Sequence, residues 1–235
     1  MNIKKTTQIA LLLAILLVSG FIITVMAWSK PVIKDPMAVG EIAIPQQDTP
    51  KVEIVHSVRG KKALFIGDSH TAADYGWQYQ VCKKTGMVMQ NTAVGGKQTA
   101  WMLEVAKLSL SSNYDYCFIY GGANDMAGNR EPMKSVRNIQ RIVKLCKTYN
   151  VKAVVITGFD PMTCVNIKGR DVYKGYLQRY DKFQQLLLDS IVDAQVVKTH
   201  CISRTDCGDF LCHMTASGHK KMAEAVIKGL ALKKI

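Results

Sequence analysis

The sequence predicts an α/β fold, a three-layer sandwich on a five-stranded parallel sheet, preceded by one N-terminal transmembrane helix. Three observations predict it. From residue 61 onward, short apolar runs alternate with longer stretches of helical periodicity. Three of those runs end directly in glycine, at Gly67, Gly121 and Gly158. Ahead of them, residues 9–28 form a 20-residue apolar run without a charge. Short apolar strands alternating with helices indicate a parallel sheet covered on both faces.

The N-terminal run sets the compartment. Lys4 and Lys5 precede it, and Lys30 and Lys34 follow. Twenty residues at a rise of about 1.5 Å span a hydrocarbon core of about 30 Å. The run is longer than the roughly 7–15 apolar residues of a signal peptide, which favours a retained signal anchor. Residues 1–8 are then cytoplasmic and residues 9–28 transmembrane, and the rest of the chain is extracytoplasmic. A cleaved signal peptide, with small-residue positions around Val25-Met26-Ala27, is the alternative and would secrete the protein. Residues 29–60 hold four of the six prolines, Pro31, Pro36, Pro45 and Pro50, and read as a stiff stalk. Within it, residues 52–58 offer an edge strand. Residues 61–235 form the folded domain.

The strands of that domain are expected at residues 63–66, 87–90, 116–120, 151–157 and 194–199. Helices are expected at 98–110, 132–149, 173–191 and 215–232. The second of these has Pro132 in its first turn and Val136, Ile139, Val143 and Cys146 at helical spacing. In such folds ligands bind at the carboxyl ends of the strands, so functional side chains should follow strands.

Four clusters do so, or precede the last helix. Gly67-Asp68-Ser69-His70 follows the first strand, where a serine in a tight strand-to-helix turn can expose its hydroxyl beside backbone amides. Asn91-Thr92-Ala93-Val94-Gly95-Gly96 follows the second; its glycines allow a backbone N–H to approach a ligand. Gly122-Ala123-Asn124-Asp125 follows the third and offers a side-chain amide. Asp206 to His213 precedes the last helix and offers a histidine base with nearby carboxylates.

Taken in this order, the clusters resemble the four blocks of the SGNH (GDSL-like) hydrolases, over residues 61–232. The resemblance implies a flavodoxin-like sandwich and a cofactor-free, metal-free ester hydrolase. It implies Ser69 as nucleophile, His213 as base, and an oxyanion hole from the Ser69 N–H, the Gly96 N–H and the Asn124 amide. Two positions depart from the family. His70 stands where a leucine is usual. The orienting aspartate is expected three residues before the histidine, where this chain has Phe210; Asp209 lies four before. Asp209 is therefore the expected orienter, with Asp206 or a backbone carbonyl as the alternative. Asp68, His70 and Asp125 are candidates for the pocket lining.

The function this reading supports is a membrane-anchored extracytoplasmic serine esterase. Its substrate would be an O-acyl ester, foremost O-acetyl, on envelope carbohydrate. A lysophospholipase or lipase, an O-acyltransferase and a catalytically silent glycan-binding domain are the alternatives.

Charge and cysteines bound the partners. The chain has 235 residues, 48% hydrophobic and 21% charged, with a net charge of +13. That excess favours an anionic partner. No nucleic-acid fold signature accompanies it, so an anionic glycan or lipid is expected and nucleic acid is not. His219 reads as a surface or packing residue within the last helix. The seven cysteines cannot all pair within one chain. One disulfide within Cys201, Cys207 and Cys212 would pin the loop bearing His213. Cys117 and Cys146 read as buried thiols, and Cys82 and Cys164 stay open.

Overall fold

The computed structural model describes residues 57–158, 172–208 and 213–231. The expected membrane helix, most of the stalk and Asp209 lie outside these residues. Among the described residues no helix is long and apolar enough to cross a membrane. The chain divides into Met1–Gln47 and Asp48–Ile235, and the fold below belongs to the second unit.

Five strands form one parallel sheet: β1 (Lys62–Gly67), β2 (Val88–Asn91), β3 (Tyr116–Tyr120), β4 (Lys152–Ile156) and β5 (Gln195–Val197). Their spatial order is β2-β1-β3-β4-β5, the doubly wound order with its switch point between β1 and β3. Leu64 pairs with Cys117 and Phe65 with Phe118 in register. Residues 57 and 58 are helical, so the edge strand considered for residues 52–58 does not reach them. The chain turns sharply into β1 there, where Gly60 N donates to Gly86 O at 2.9 Å.

The helices are α1 (Ser69–Ala72), α2 (Trp77–Thr85), α3 (Thr99–Ser109), α4 (Ala123–Ala127), α5 (Pro132–Thr148), α6 (Val172–Ser190) and α7 (Ala216–Ala231). Strand alternation sends Leu64, Ile66, Cys117, Ile119 and Val155 to one face, against Met102 of α3, Ile139 of α5 and Phe183 of α6. It sends Ala63, Phe65, Phe118, Val154 and Ile156 to the other face, against Trp77 of α2 and Met222 of α7. The stacked rings of Phe65 and Phe118, 4.6 Å apart, and the edge-on Trp77 fill the middle of that second layer.

Local chemistry fixes where the elements begin. The Glu131 carboxylate caps α5, accepting from Met133 N at 2.9 Å and Lys134 N at 3.0 Å. Gly122 takes φ +113, and the ring of Phe183 occupies the space a side chain there would need. The turn from β3 into α4 therefore requires glycine, and this turn presents Asn124 at the carboxyl edge.

Candidate active site

The carboxyl edge of β1 turns straight into α1. Asp68 caps that turn, its carboxylate accepting from His70 N at 3.1 Å. Gly67 is held tightly: a side chain there would meet Thr71 Oγ1 at 2.5 Å and Tyr120 O at 2.6 Å. The result is a sharp elbow with Ser69 at its tip. His213, 144 residues later, places Nε2 2.9 Å from Ser69 Oγ. This is hydrogen-bond distance between an alcohol and an imidazole, the relation a nucleophile and its base require.

The loop after β2 folds onto this elbow. Thr92 N donates to Phe65 O at 2.9 Å and Val94 N to Gly67 O at 3.2 Å. A turn follows in which Lys97 N donates to Val94 O at 3.4 Å, with Gly96 at φ +74. A Cβ built on Gly95 would touch Ser69 Cβ at 3.7 Å, so Gly95 lies directly beside the serine, while a Cβ on Gly96 would face open space. From the β3 side, Asn124 Nδ2 donates to Lys97 O at 3.2 Å and to Asp68 Oδ2 at 3.4 Å. Ser69, the turn that begins at Gly95 and Asn124 thus lie at the same carboxyl edge.

Asp68 is almost fully buried. Burial pushes its carboxyl up to about 7, against the hydrogen bond from His70 N and the attraction of His213. His70 is also buried, its ring 5.3 Å from that of His213 and 5.7 Å from that of Tyr120. Asp68 and His70 therefore form the floor around the serine–histidine pair.

Asp125 does not share that lining. Its carboxylate accepts from Thr99 N at 2.9 Å, Thr99 Oγ1 at 2.6 Å and Ser135 Oγ at 2.8 Å. It clamps α4 to the starts of α3 and α5. A buried carboxylate needs that many donors to be stable, so its chemistry is spent on the scaffold.

Asp206 is likewise committed elsewhere. Its carboxylate accepts from Ser203 N at 2.8 Å, Ser203 Oγ at 2.6 Å, Ser217 Oγ at 2.9 Å and Lys221 Nζ at 2.8 Å. Burial would raise its carboxyl, but the hydrogen bonds from Lys221, Ser203 and Ser217 outweigh it and hold the group below the ordinary carboxylate range. Its main-chain oxygen accepts from Thr215 N at 2.8 Å. Asp206 is the alternative orienter on sequence grounds; the structure makes it the brace at the foot of the loop that carries His213. Its four donors come from residues 203, 217 and 221, a convergence the motif order does not reveal. The loop closes by an antiparallel bridge between Cys207 and Met214, with Gly208 N donating to His213 O at 2.9 Å. Cys207 is disulfide-bonded, while Cys82, Cys117, Cys146 and Cys201 are free. Cys201 thus drops out of the expected cystine.

His219 sits in α7, and its Nδ1 accepts from Trp77 N at 3.2 Å, satisfying the first turn of α2. Of the two roles its place in the helix allows, surface or packing, the contact with Trp77 makes it a packing residue.

An α/β sandwich with a serine on a strand–helix elbow and a histidine in a late loop defines a hydrolase of the acyl-transfer type. The chain belongs to the GDSL-like lipase/acylhydrolase family, whose model matches residues 65–221. It is an ester hydrolase by that membership. Solved structures agree on the fold. A GDSL-like lipase from Bacteroides thetaiotaomicron is 15% identical, covering 72% of this chain and 87% of its own, with a TM-score of 0.55. A catalytic mutant of an acetylxylan esterase from Geobacillus stearothermophilus is 14% identical, covering 74% and 96%, at 0.57. A member of the lipolytic protein G-D-S-L family from Veillonella parvula is 13% identical, covering 71% and 96%, at 0.56. No curated protein sequence matches.

Proposed function

We propose that the protein is a membrane-tethered extracytoplasmic serine esterase that removes O-acyl groups, foremost acetyl, from envelope carbohydrate. The observation that carries the chemistry is the 2.9 Å contact between Ser69 Oγ and His213 Nε2. His213 Nε2 takes the Ser69 proton as Oγ attacks the ester carbonyl. The tetrahedral oxyanion is held by the Ser69 and Gly96 N–H groups and by Asn124 Nδ2, which exchanges its Lys97 carbonyl for the developing charge. His213 returns the proton to the leaving alcohol, and water resolves the acyl-enzyme through the same base. Asp209 orients the imidazole.

Support for the sugar ester comes from the acetylxylan esterase among the structural neighbours. Support for the tether comes from the charge-free run over residues 9–28, followed by the proline-containing stalk. The test is acetate release from O-acetylated envelope glycans and from small aryl acetates. Wild type should release acetate and Ser69→Ala should not. Equal release by both, or a strong preference for long-chain lysophospholipid, would overturn the reading.

A further inference from the structure

The positive charge is not spread evenly over the helices. Helix α5 turns Lys134, Arg137, Arg141 and Lys144 outward, all exposed. At 3.6 residues per turn they fall within an arc of about 80° and run about 15 Å along the axis. None of the four forms an ion pair among the described residues, whereas Lys61, Lys84, Lys107, Lys147 and Lys221 all do. The nearest acid on the helix is Glu131, whose carboxylate is used in capping.

Among the described residues, the exposed charges on the neighbours of α5 show no cationic excess. It packs between α3 and α6. At exposed positions α3 carries Glu104 paired with Lys107, and α6 carries Asp181 and Asp189 with Lys182. Among the described exposed positions, the cations therefore form a track one helix wide with neutral or acidic flanks. A bilayer surface would call for cations spread across a plane; a narrow track suits a linear polyanion.

The track also leads to the catalytic edge. Arg130, exposed just before α5, donates from Nε to Gln98 Oε1 at 3.3 Å, and Gln98 Nε2 donates to Asn124 O at 3.3 Å. Ser135, in the first turn of α5, bonds Asp125 beside Asn124. A chain lying along Lys144, Arg141, Arg137 and Lys134 would thus reach Arg130 and the Asn124 turn.

We infer that the outer face of α5 is a docking track for a linear anionic polysaccharide, and that this polymer carries the ester cleaved at Ser69. The second half of that statement rests on the esterase reading; the first does not.

The experiment separates the two. The full chain in non-ionic detergent is tested for binding to polygalacturonate, as wild type and as Lys134→Gln/Arg137→Gln/Arg141→Gln/Lys144→Gln. Circular dichroism confirms that both are folded. Wild type should bind with a steep salt dependence, and the variant should bind at least about tenfold more weakly. On acetylated polygalacturonate the variant's kcat/KM should fall by a similar factor, with hydrolysis of aryl acetate and neutral acetylated glucomannan unchanged. Equal binding by the two proteins would overturn the track. So would a charge effect seen only with phosphatidylglycerol micelles, or stronger binding to duplex DNA than to polygalacturonate. Binding as expected without acetate release from any substrate would instead sink the esterase reading and leave the track standing.

Discussion

Asn124 Nδ2 lies 3.4 Å from Asp68 Oδ2 and 3.2 Å from Lys97 O. Loop and elbow atoms thus fix the aim of the amide, which the proposed mechanism turns to the oxyanion by release of Lys97 O. Asp68 makes that aim possible from a nearly water-free position.

Asp68→Asn should separate this positioning role from a purely structural one. It replaces an acceptor facing Asn124 with a group that also carries donors, so kcat should fall about tenfold or more with KM little changed. The pH dependence follows from the sign of the shift. The folded carboxyl titrates at about 7 and the unfolded one at 3.8. Between those values the folded state holds a proton the unfolded state has lost, so Asp68 makes stability decline as pH rises through that window. Thermal melts at pH 5 and pH 8 should show a smaller decline in the variant than in wild type. An identical pH trend would rule this out.

Asp206→Ala removes a buried carboxylate that receives Ser203, Ser217 and Lys221. Lys221 is about two-fifths exposed, so the loss should be near 2 kcal/mol, below that of a fully buried pair. Its carboxyl is held low in the folded state, so its contribution is present above the ordinary Asp range and lost as pH falls below it. Urea denaturation at pH 7 and pH 3 measures both. A loss of activity without loss of stability would return Asp206 to an orienting role.

His219 must keep Nδ1 unprotonated to accept from Trp77 N. Burial, then the nearby His213, lowers its tendency to protonate from the ordinary 6.5. The unfolded chain therefore takes up this proton first, and the stability His219 contributes is lost as pH falls below about 6.5. His219→Leu should lower the melting temperature at pH 8 and flatten its fall between pH 7 and pH 5. Unchanged melting at both ends would contradict the capping role.

Cys207 anchors the bridge to Met214 that carries His213. Cys207→Ser should loosen the base without removing it. Steady-state kinetics on an aryl acetate should show kcat lowered about tenfold, with KM nearly constant. Full kcat would show that the backbone bridge alone holds the histidine.

Much of this architecture is legible in the sequence because the strands are continuous apolar runs. The cores of β1, β3 and β4 read directly from residues such as Phe65, Ile119 and Val155. Helix α2 does not. Its Trp77, Val81 and Cys82 are interleaved with Gln and Lys over only nine residues, and they join one buried cluster with α7, from the far end of the chain. The serine, the glycine turn and the asparagine are readable as ordered blocks after strands, and the histidine as a block before the last helix. Asp125 and Asp206 were misleading for one reason: a carboxylate beside a site motif looks the same whether it faces substrate or ties three segments together. Only the donors gathered around it, from Thr99 and Ser135 or from Ser203, Ser217 and Lys221, tell the two apart.

The central claim is that Ser69 is a nucleophile activated by His213. Reaction of the folded full chain with a fluorophosphonate, followed by intact-mass and peptide analysis, tests it most directly. One adduct is expected, on Ser69, absent in Ser69→Ala and slowed at least about a hundredfold in His213→Ala. No adduct on folded wild type, or an adduct that persists in Ser69→Ala, would contradict it.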